Sequence, residues 1–166
     1  MGLHEAIYGR FTGASGQTIS AAAASTDTIR LSSKAKPQIG VGPHSPMLCI
    51  RVRTAPTAAT DTLSIELQQD ADDGAGSPAG SWTTVEMLLC GAAGAEVLMS
   101  DARLATAGAW VYRGRLPYNV TEPHIRLYFN NTTSVGTIVL DAWVEDEAAS
   151  DFRGSQVISS NVGNPA

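Results

Sequence analysis

The sequence predicts an all-β fold, a sandwich of about seven or eight antiparallel strands of the jelly-roll or immunoglobulin-like type. Three observations lead to this prediction. Stretches in which apolar and polar residues alternate recur at short spacing along the chain, and alternation of period two is typical of half-buried strands. Clusters of glycine, proline and small polar residues separate these stretches. Lys and Glu are scarce while Thr, Ser, Gly and Ala are plentiful, which disfavours long helices.

The clearest alternation lies in His124–Glu145, which we predict to be a β-hairpin in the core of the sandwich. The connecting stretch Asn130–Gly136 combines Asn and Gly, which favour turns. In both arms the apolar residues fall on one face because successive side chains of a strand point to opposite sides. The residues that we expect to be buried there are Ile125, Leu127, Phe129, Leu140 and Val144.

The remaining elements follow in chain order. Gln17–Ala24 is predicted to be an edge strand and Thr28–Leu31 a short strand, followed by a loop over Ser32–Pro46 with three prolines. Met47–Arg53 and Thr62–Gln69 are predicted to form a second hairpin. After them come an acidic loop, a strand, a mostly irregular segment and a last strand, at Asp70–Gly80, Trp82–Leu89, Gly91–Gly108 and Trp110–Leu116.

The two ends of the chain lack this alternation. We therefore divide the 166 residues into an N-terminal arm (1–16), one sandwich domain (17–147) and a C-terminal tail (148–166). Segments with so little apolar content do not offset the entropy of their own ordering, so a partner would have to order them. The candidate contacts with a partner are the large apolar residues of the ends, Ile7, Tyr8, Phe11, Phe152, Val157 and Ile158. The alternative is that both ends are disordered and have no role.

Charge and hydropathy exclude several classes of partner. The net charge of −5 disfavours bulk attraction to nucleic acid or anionic lipid. The sequence contains no apolar run long enough to span a membrane. The first residues lack the pattern of a signal peptide, so we expect the protein to stay in the cytoplasm in which it is made.

The sequence offers no pattern of catalytic or metal-binding residues, so we predict a non-enzymatic protein without metal or cofactor. His4, His44 and His124 are far apart and lack zinc-ligand spacing, which favours solvated or locally hydrogen-bonded imidazoles. Cys49 and Cys90 are expected to be free thiols, although a disulfide remains open if their strands are neighbours. The acidic loop departs from calcium-loop spacing and is expected to be a solvated turn.

Several stretches, in the same order, resemble the jelly-roll cement (decoration) proteins of tailed bacteriophage heads. The similar stretches are Gln17–Ala21 with Ser25–Leu31, Gln38–Gly42 with Pro46–Val52, Leu63–Asp70, Leu116–Tyr118, Ile125–Phe129, and Gly136–Thr137 with Ala142–Val144. The resemblance spans Gln17 to Glu145. It rests on the ordered set, because none of these motifs is diagnostic by itself.

The resemblance implies a jelly-roll domain that sits on the outer surface of the capsid, bound across subunits of the major capsid protein, and stabilises the mature, DNA-filled shell. It also implies self-association, with a homodimer ahead of a homotrimer, and no direct contact with nucleic acid or membrane. Two alternatives stay open. One is another phage structural module, such as a fibre or baseplate jelly roll. The other is a carbohydrate-binding β-sandwich, in which Trp110 or Trp143 could form an aromatic platform.

Overall fold

A computed structural model describes residues 7–31, 46–132 and 136–146, and nearly all regular structure in these ranges is β-strand. Within them no residue belongs to a helix long and apolar enough to cross a membrane. The strands are β1 (Ile7–Arg10), β2 (Gln17–Ile19), β3 (Ala23–Ala24), β4 (Ile29–Arg30), β5 (Pro46–Thr54), β6 (Thr62–Asp70), β7 (Thr83–Leu89), β8 (Val97–Leu98), β9 (Trp110–Arg115), β10 (His124–Asn130) and β11 (Ile138–Asp146). The count exceeds the predicted seven or eight because β3, β4 and β8 have only two residues each.

These strands form two antiparallel sheets that pack face to face. Sheet 1 has the order β1-β11-β5-β9, and β2 also pairs with β11. Sheet 2 has the order β3-β10-β6-β7, with β4 pairing with β10 and β8 with β6. From β9 onward successive long strands alternate between the sheets, and β5 and β6 also lie in different sheets. This winding is that of a jelly roll, so the predicted fold class is confirmed.

The core lies between the two sheets and contains the apolar residues that the alternation predicted. Ile125, Leu127 and Phe129 of β10 have no exposed surface, nor do Leu140 and Val144 of β11. On β5 the inward residues Leu48, Ile50 and Val52 are likewise fully buried. The predicted core residues of His124–Glu145 are therefore confirmed.

Both predicted hairpins are wrong. The arms of His124–Glu145 lie in different sheets, where β10 pairs with β6 and β11 pairs with β5. Met47–Arg53 and Thr62–Gln69 are separated in the same way, because β5 belongs to sheet 1 and β6 to sheet 2. Alternation identifies a strand and its buried face, but it is equally satisfied by a neighbour in the same sheet and by one across the core.

The connections after β5 and after β10 reach the same end of the sandwich and are bonded to each other. The Thr57 amide donates to the Thr137 carbonyl oxygen at 2.9 Å, and the Thr137 amide donates to Thr57 Oγ1 at 2.8 Å. The buried carboxylate of Asp61 accepts a hydrogen bond from the Gly136 amide at 2.6 Å. A Cβ at Gly136 would come within 2.7 Å of the Ala58 Cβ, so glycine permits this close approach. These contacts stabilise the two connections where the chain crosses from one sheet to the other. Their turn-like composition had predicted hairpins instead.

The described part of the predicted N-terminal arm belongs to the sandwich. Strand β1 pairs with β11, and Phe11 directly after it is completely buried in the domain's own core. The prediction of Phe11 as a contact with a partner is therefore wrong. Buried Thr12 also fixes this segment, since its hydroxyl oxygen accepts a hydrogen bond from the Ala142 amide at 3.0 Å. The backbone of Ile7 and Tyr8 lies in β1, whereas Phe152, Val157 and Ile158 lie outside the described residues.

Two other segments also differ from the simplest prediction. The expected edge strand Gln17–Ala24 is divided: β2 pairs with β11 in sheet 1, and β3 pairs with β10 in sheet 2. The chain thus changes sheets between Ile19 and Ala23. Gly91–Gly108 is mostly irregular, as predicted, and contains only a 3-10 turn at Ala92–Gly94 and the short β8.

Candidate functional site

The outward side of sheet 1 gathers large aromatic and basic side chains from four strands, β1, β5, β9 and β11. In antiparallel pairs, residues directly opposite each other point to the same side of the sheet. Cys49 of β5 lies opposite Trp143 of β11 and Arg113 of β9. Arg51 lies opposite Asp141 and Trp110 in the same way. We call this surface the outer face of sheet 1; its members are Arg10, Met47, Cys49, Arg51, Arg53, Trp110, Arg113, Arg115, Asp141, Trp143 and Glu145.

Two tryptophans form the centre of this face. The ring centroids of Trp110 and Trp143 are 5.9 Å apart, and the rings are tilted by 54°. Trp110 is 41% exposed, which is unusual for so large an apolar side chain. The guanidinium groups of Arg113 and Arg51 lie 5.1 and 5.9 Å from the centroid of the Trp110 ring, within range of cation–π attraction.

The charged groups on the outer face of sheet 1 give it a positive balance. Arg53 contacts Asp141 at 3.3 Å and donates a hydrogen bond to the Ala14 carbonyl oxygen. Arg113 lies 3.7 Å from Glu145, whose other oxygen accepts a hydrogen bond from Trp143 Nε1. Among the described residues, the face contains five arginines, at positions 10, 51, 53, 113 and 115, and two carboxylates, Asp141 and Glu145. The whole chain has a net charge of −5, so the rest of the protein is acidic.

Cys49 lies beneath these side chains and has no exposed surface. Burial, followed by the nearby Glu145 carboxylate, raises the pKa of the Cys49 thiol to about 12. A thiol in this state is protonated at neutral pH, and the thiolate is the nucleophilic form. Cys49 therefore supports the packing of the face rather than a reaction. Both cysteines are free thiols, as predicted.

The outward side of sheet 2 uses the same residue types in a more closed arrangement. Arg126 of β10 stacks over the ring of Trp82 at 4.2 Å and donates a hydrogen bond to Gln68 Oε1 at 2.8 Å. The Glu66 carboxylate accepts hydrogen bonds from Asn130 Nδ2 and from the Thr84 hydroxyl. We call this surface the outer face of sheet 2. Its polar groups largely satisfy one another.

His124 and the acidic loop form a structural cluster at one end of sheet 2. His124 is buried, not solvated, and its Nε2 lies 3.2 Å from Asp72 Oδ2. Asp72 also pairs with Arg30 at 2.9 Å and accepts hydrogen bonds from the Gly74 and Gly76 amides. The hydrogen bond from the Gly74 amide is the largest cause that lowers the pKa of Asp72, followed by the hydrogen bond with His124. In the described ranges no group of three or more His, Cys, Asp or Glu side chains is placed to hold a metal ion.

Among the contacts predicted from the sequence, Phe11 is the one whose side chain the structure describes, and it lies in the core rather than on the outer face of sheet 1. The sequence did not predict this face because its residues come from β1, β5, β9 and β11, which are distant in sequence. One signal was present: Arg51 and Arg53 share the outward side of a strand whose other side is wholly apolar. The sequence could not supply the neighbours of that strand, and these bring Trp110, Arg113 and Trp143 to the same surface.

Comparison with known proteins places the chain in a family. No curated protein matches it. The model of the Bbp16 family matches residues 13–138, which include every strand from β2 to β10 and the start of β11. Since this match spans well over half of the sequence, the chain belongs to the Bbp16 family.

Proposed function

We propose that this protein is a non-enzymatic capsid cement protein, which binds the outside of a tailed-bacteriophage head across major capsid subunits and stabilises the mature, DNA-filled shell. The observation on which this rests is that the motifs similar to cement proteins fall, in chain order, on five strands of a jelly roll. Gln17–Ala21 covers β2, Pro46–Val52 lies in β5 and Leu63–Asp70 in β6. Ile125–Phe129 lies in β10 and Ala142–Val144 in β11.

The surface of the sandwich is suited to this role. A cement protein resists rupture of the shell by adding contact area across the junctions between subunits, and several modest contacts act together. Trp and Arg dominate the energetics of protein interfaces, and the outer face of sheet 1 exposes both types. In this proposal the protein is made in the host bacterial cytoplasm, associates with itself as a homodimer and resides on the outer surface of the virion.

The ends of the chain would supplement these contacts. Extended termini can add strands to the sheets of neighbouring subunits, and isolated apolar residues in a polar tail can serve as anchors once ordered. The proposed anchors are Ile7 and Tyr8 at one end and Phe152, Val157 and Ile158 at the other. Phe11 is no longer among them, because it is buried in its own domain.

The exposure of Trp110 also keeps a carbohydrate-binding sandwich as a second candidate function. A sugar platform needs an accessible ring face, and the guanidinium groups of Arg51 and Arg113 approach this ring. Glycan-array binding that is lost in Trp110→Ala would favour this candidate over the cement protein.

The test of the proposed function is reconstitution on heads. Purified protein is added to expanded heads that lack it, and bound copies are counted after sedimentation. We expect saturable binding at a fixed ratio to the major capsid protein and release of DNA at a higher temperature in decorated heads. Heads that bind no protein, or decorated heads with unchanged DNA release, would contradict the proposal.

A further inference from the structure

The outer face of sheet 1 has a charge opposite to that of the protein that bears it. Five of the chain's eleven basic residues lie on this one side of one sheet, and the described residues of the same side include two carboxylates. The guanidinium side chains of Arg53 and Arg113 remain 45% and 44% exposed although each contacts a carboxylate. Both guanidinium groups are therefore accessible to solvent.

The tryptophans make this face more than a solvated basic patch. Trp110 is held against Trp143 and lies under two arginines, so its exposed surface is fixed in place. A rigid aromatic side chain surrounded by arginines matches the composition of the central residues of protein interfaces. Arginine also suits carboxylates because its guanidinium can bind both oxygens.

From this geometry we infer that the outer face of sheet 1 is the docking surface for a carboxylate-rich surface of another protein. The inference rests on the proposed function, within which the acidic surface belongs to the major capsid protein. It assigns the contact to the body of the sandwich rather than to the ends of the chain.

A second copy of this chain is a poorer occupant of the same face. In a symmetric dimer the same patch of both copies meets, so five arginines would face five arginines. Like charges brought together in an interface oppose association. The homodimer of the proposed function would therefore form through another surface and leave this face free for the acidic partner.

The test exchanges charge on the two sheets. The variant Arg51→Glu/Arg113→Glu reverses two charges on sheet 1, and Arg126→Glu reverses the arginine that stacks on Trp82 in sheet 2. Thermal unfolding confirms that each variant is folded. Binding to expanded heads is then measured at increasing ionic strength, and sedimentation velocity gives the oligomeric state of each free protein.

We expect the sheet 1 variant to bind heads at least about 10-fold more weakly than the wild type, since charge reversal at an interface opposes the partner directly. The Arg126→Glu control should bind within about 3-fold of the wild type. Wild-type binding should weaken as salt is raised, because salt screens attraction between exposed charges.

Three outcomes would overturn the inference. If the sheet 1 variant binds as well as the wild type, the proposed function stands but the docking surface lies elsewhere. If the variant loses self-association in solution, the occupant is a second copy. If the wild type itself leaves heads bare, the proposed function and this inference fail together.

Discussion

The two outer faces of the sandwich are built from the same residue types and differ in what those residues contact. On sheet 2, Arg126 lies over Trp82 and is hydrogen-bonded to Gln68, and burial lowers its pKa. On sheet 1, Arg51 and Arg113 lie beside Trp110, which stays 41% exposed. On sheet 2 the arginine is bound by its neighbours, whereas on sheet 1 the Trp110 ring keeps exposed surface. Residue type alone therefore does not identify an interaction surface; the two faces differ in the exposure of the aromatic ring, since Trp110 is exposed and Trp82 is half-buried.

The largest expected effect concerns the core, which lies between the two sheets. Leu127→Ala on sheet 2 and Leu140→Ala on sheet 1 should each reduce the free energy of unfolding by about 2–5 kcal/mol, because both side chains are fully buried and leave a cavity. Urea denaturation followed by circular dichroism measures the effect. The matched control is Leu98→Ala, whose side chain is 52% exposed and should change stability by no more than ~0.5 kcal/mol. A negligible effect at either buried position would mean that the sheets do not form one cooperative core.

A smaller effect is expected where the chain crosses between the two sheets. Asp61→Ala removes the buried carboxylate that accepts the Gly136 amide and should reduce the free energy of unfolding by about 1–3 kcal/mol. Asp27→Ala removes an exposed carboxylate from another connection and should have little effect in the same denaturation assay. Equal stability of the two variants would show that the contact between the crossings contributes nothing.

These crossings also mark the limit of what the sequence could predict. Alternation located β5, β6, β10 and β11 and the buried face of each, since that information is local. It assigned Ile125, Leu127 and Phe129 to the core correctly. Pairing partners are not local, and turn-rich connections are compatible both with a hairpin and with a crossing to the opposite sheet. The predicted hairpins failed for this reason.

The candidate site depends on the pairing of strands, which the sequence did not predict. The aromatic and basic residues of the outer face of sheet 1 meet only because β5 lies between β9 and β11. The sequence instead drew attention to apolar residues in segments without alternation, among them Phe11. A single buried aromatic residue beside a short edge strand has no periodic signature, so its burial could be found only from the fold.

The contrast between a closed and an open face predicts unequal contributions to stability. Arg126→Ala should reduce the free energy of unfolding by about 0.5–1 kcal/mol, the usual contribution of a cation–π contact at an exposed site. Arg51→Ala, whose guanidinium is 5.9 Å from the Trp110 centroid, should change it by less than ~0.5 kcal/mol. Thermal and chemical denaturation of both variants under one buffer condition measures the difference. A greater loss of unfolding free energy in Arg51→Ala would contradict the contrast. It would mean that the arginine on the outer face of sheet 1 contributes more to stability than the one on the outer face of sheet 2.

The last prediction concerns the reactivity of Cys49, which lies beneath the outer face of sheet 1. It is tested first on the folded wild-type protein. Cys49 is fully buried opposite Trp143, whereas Cys90 is half-buried at the end of β7. Because burial raises the pKa of Cys49 to about 12, almost none of it is thiolate at pH 8, and the reactive species is the thiolate. Iodoacetamide at that pH should therefore modify Cys90 in the folded protein and leave Cys49 intact, which peptide mass spectrometry can measure.

Trp143→Ala, combined with Cys90→Ser, removes the ring opposite Cys49 and should make this thiol at least about 10-fold more reactive, because access and solvation increase together. The Cys90→Ser protein with Trp143 intact is the control and should label only after unfolding. Equal labelling of Cys49 in both proteins would show that the tryptophans do not cover the sheet. The outer face of sheet 1 would then lack the packed aromatic centre that distinguishes a docking surface from scattered arginines.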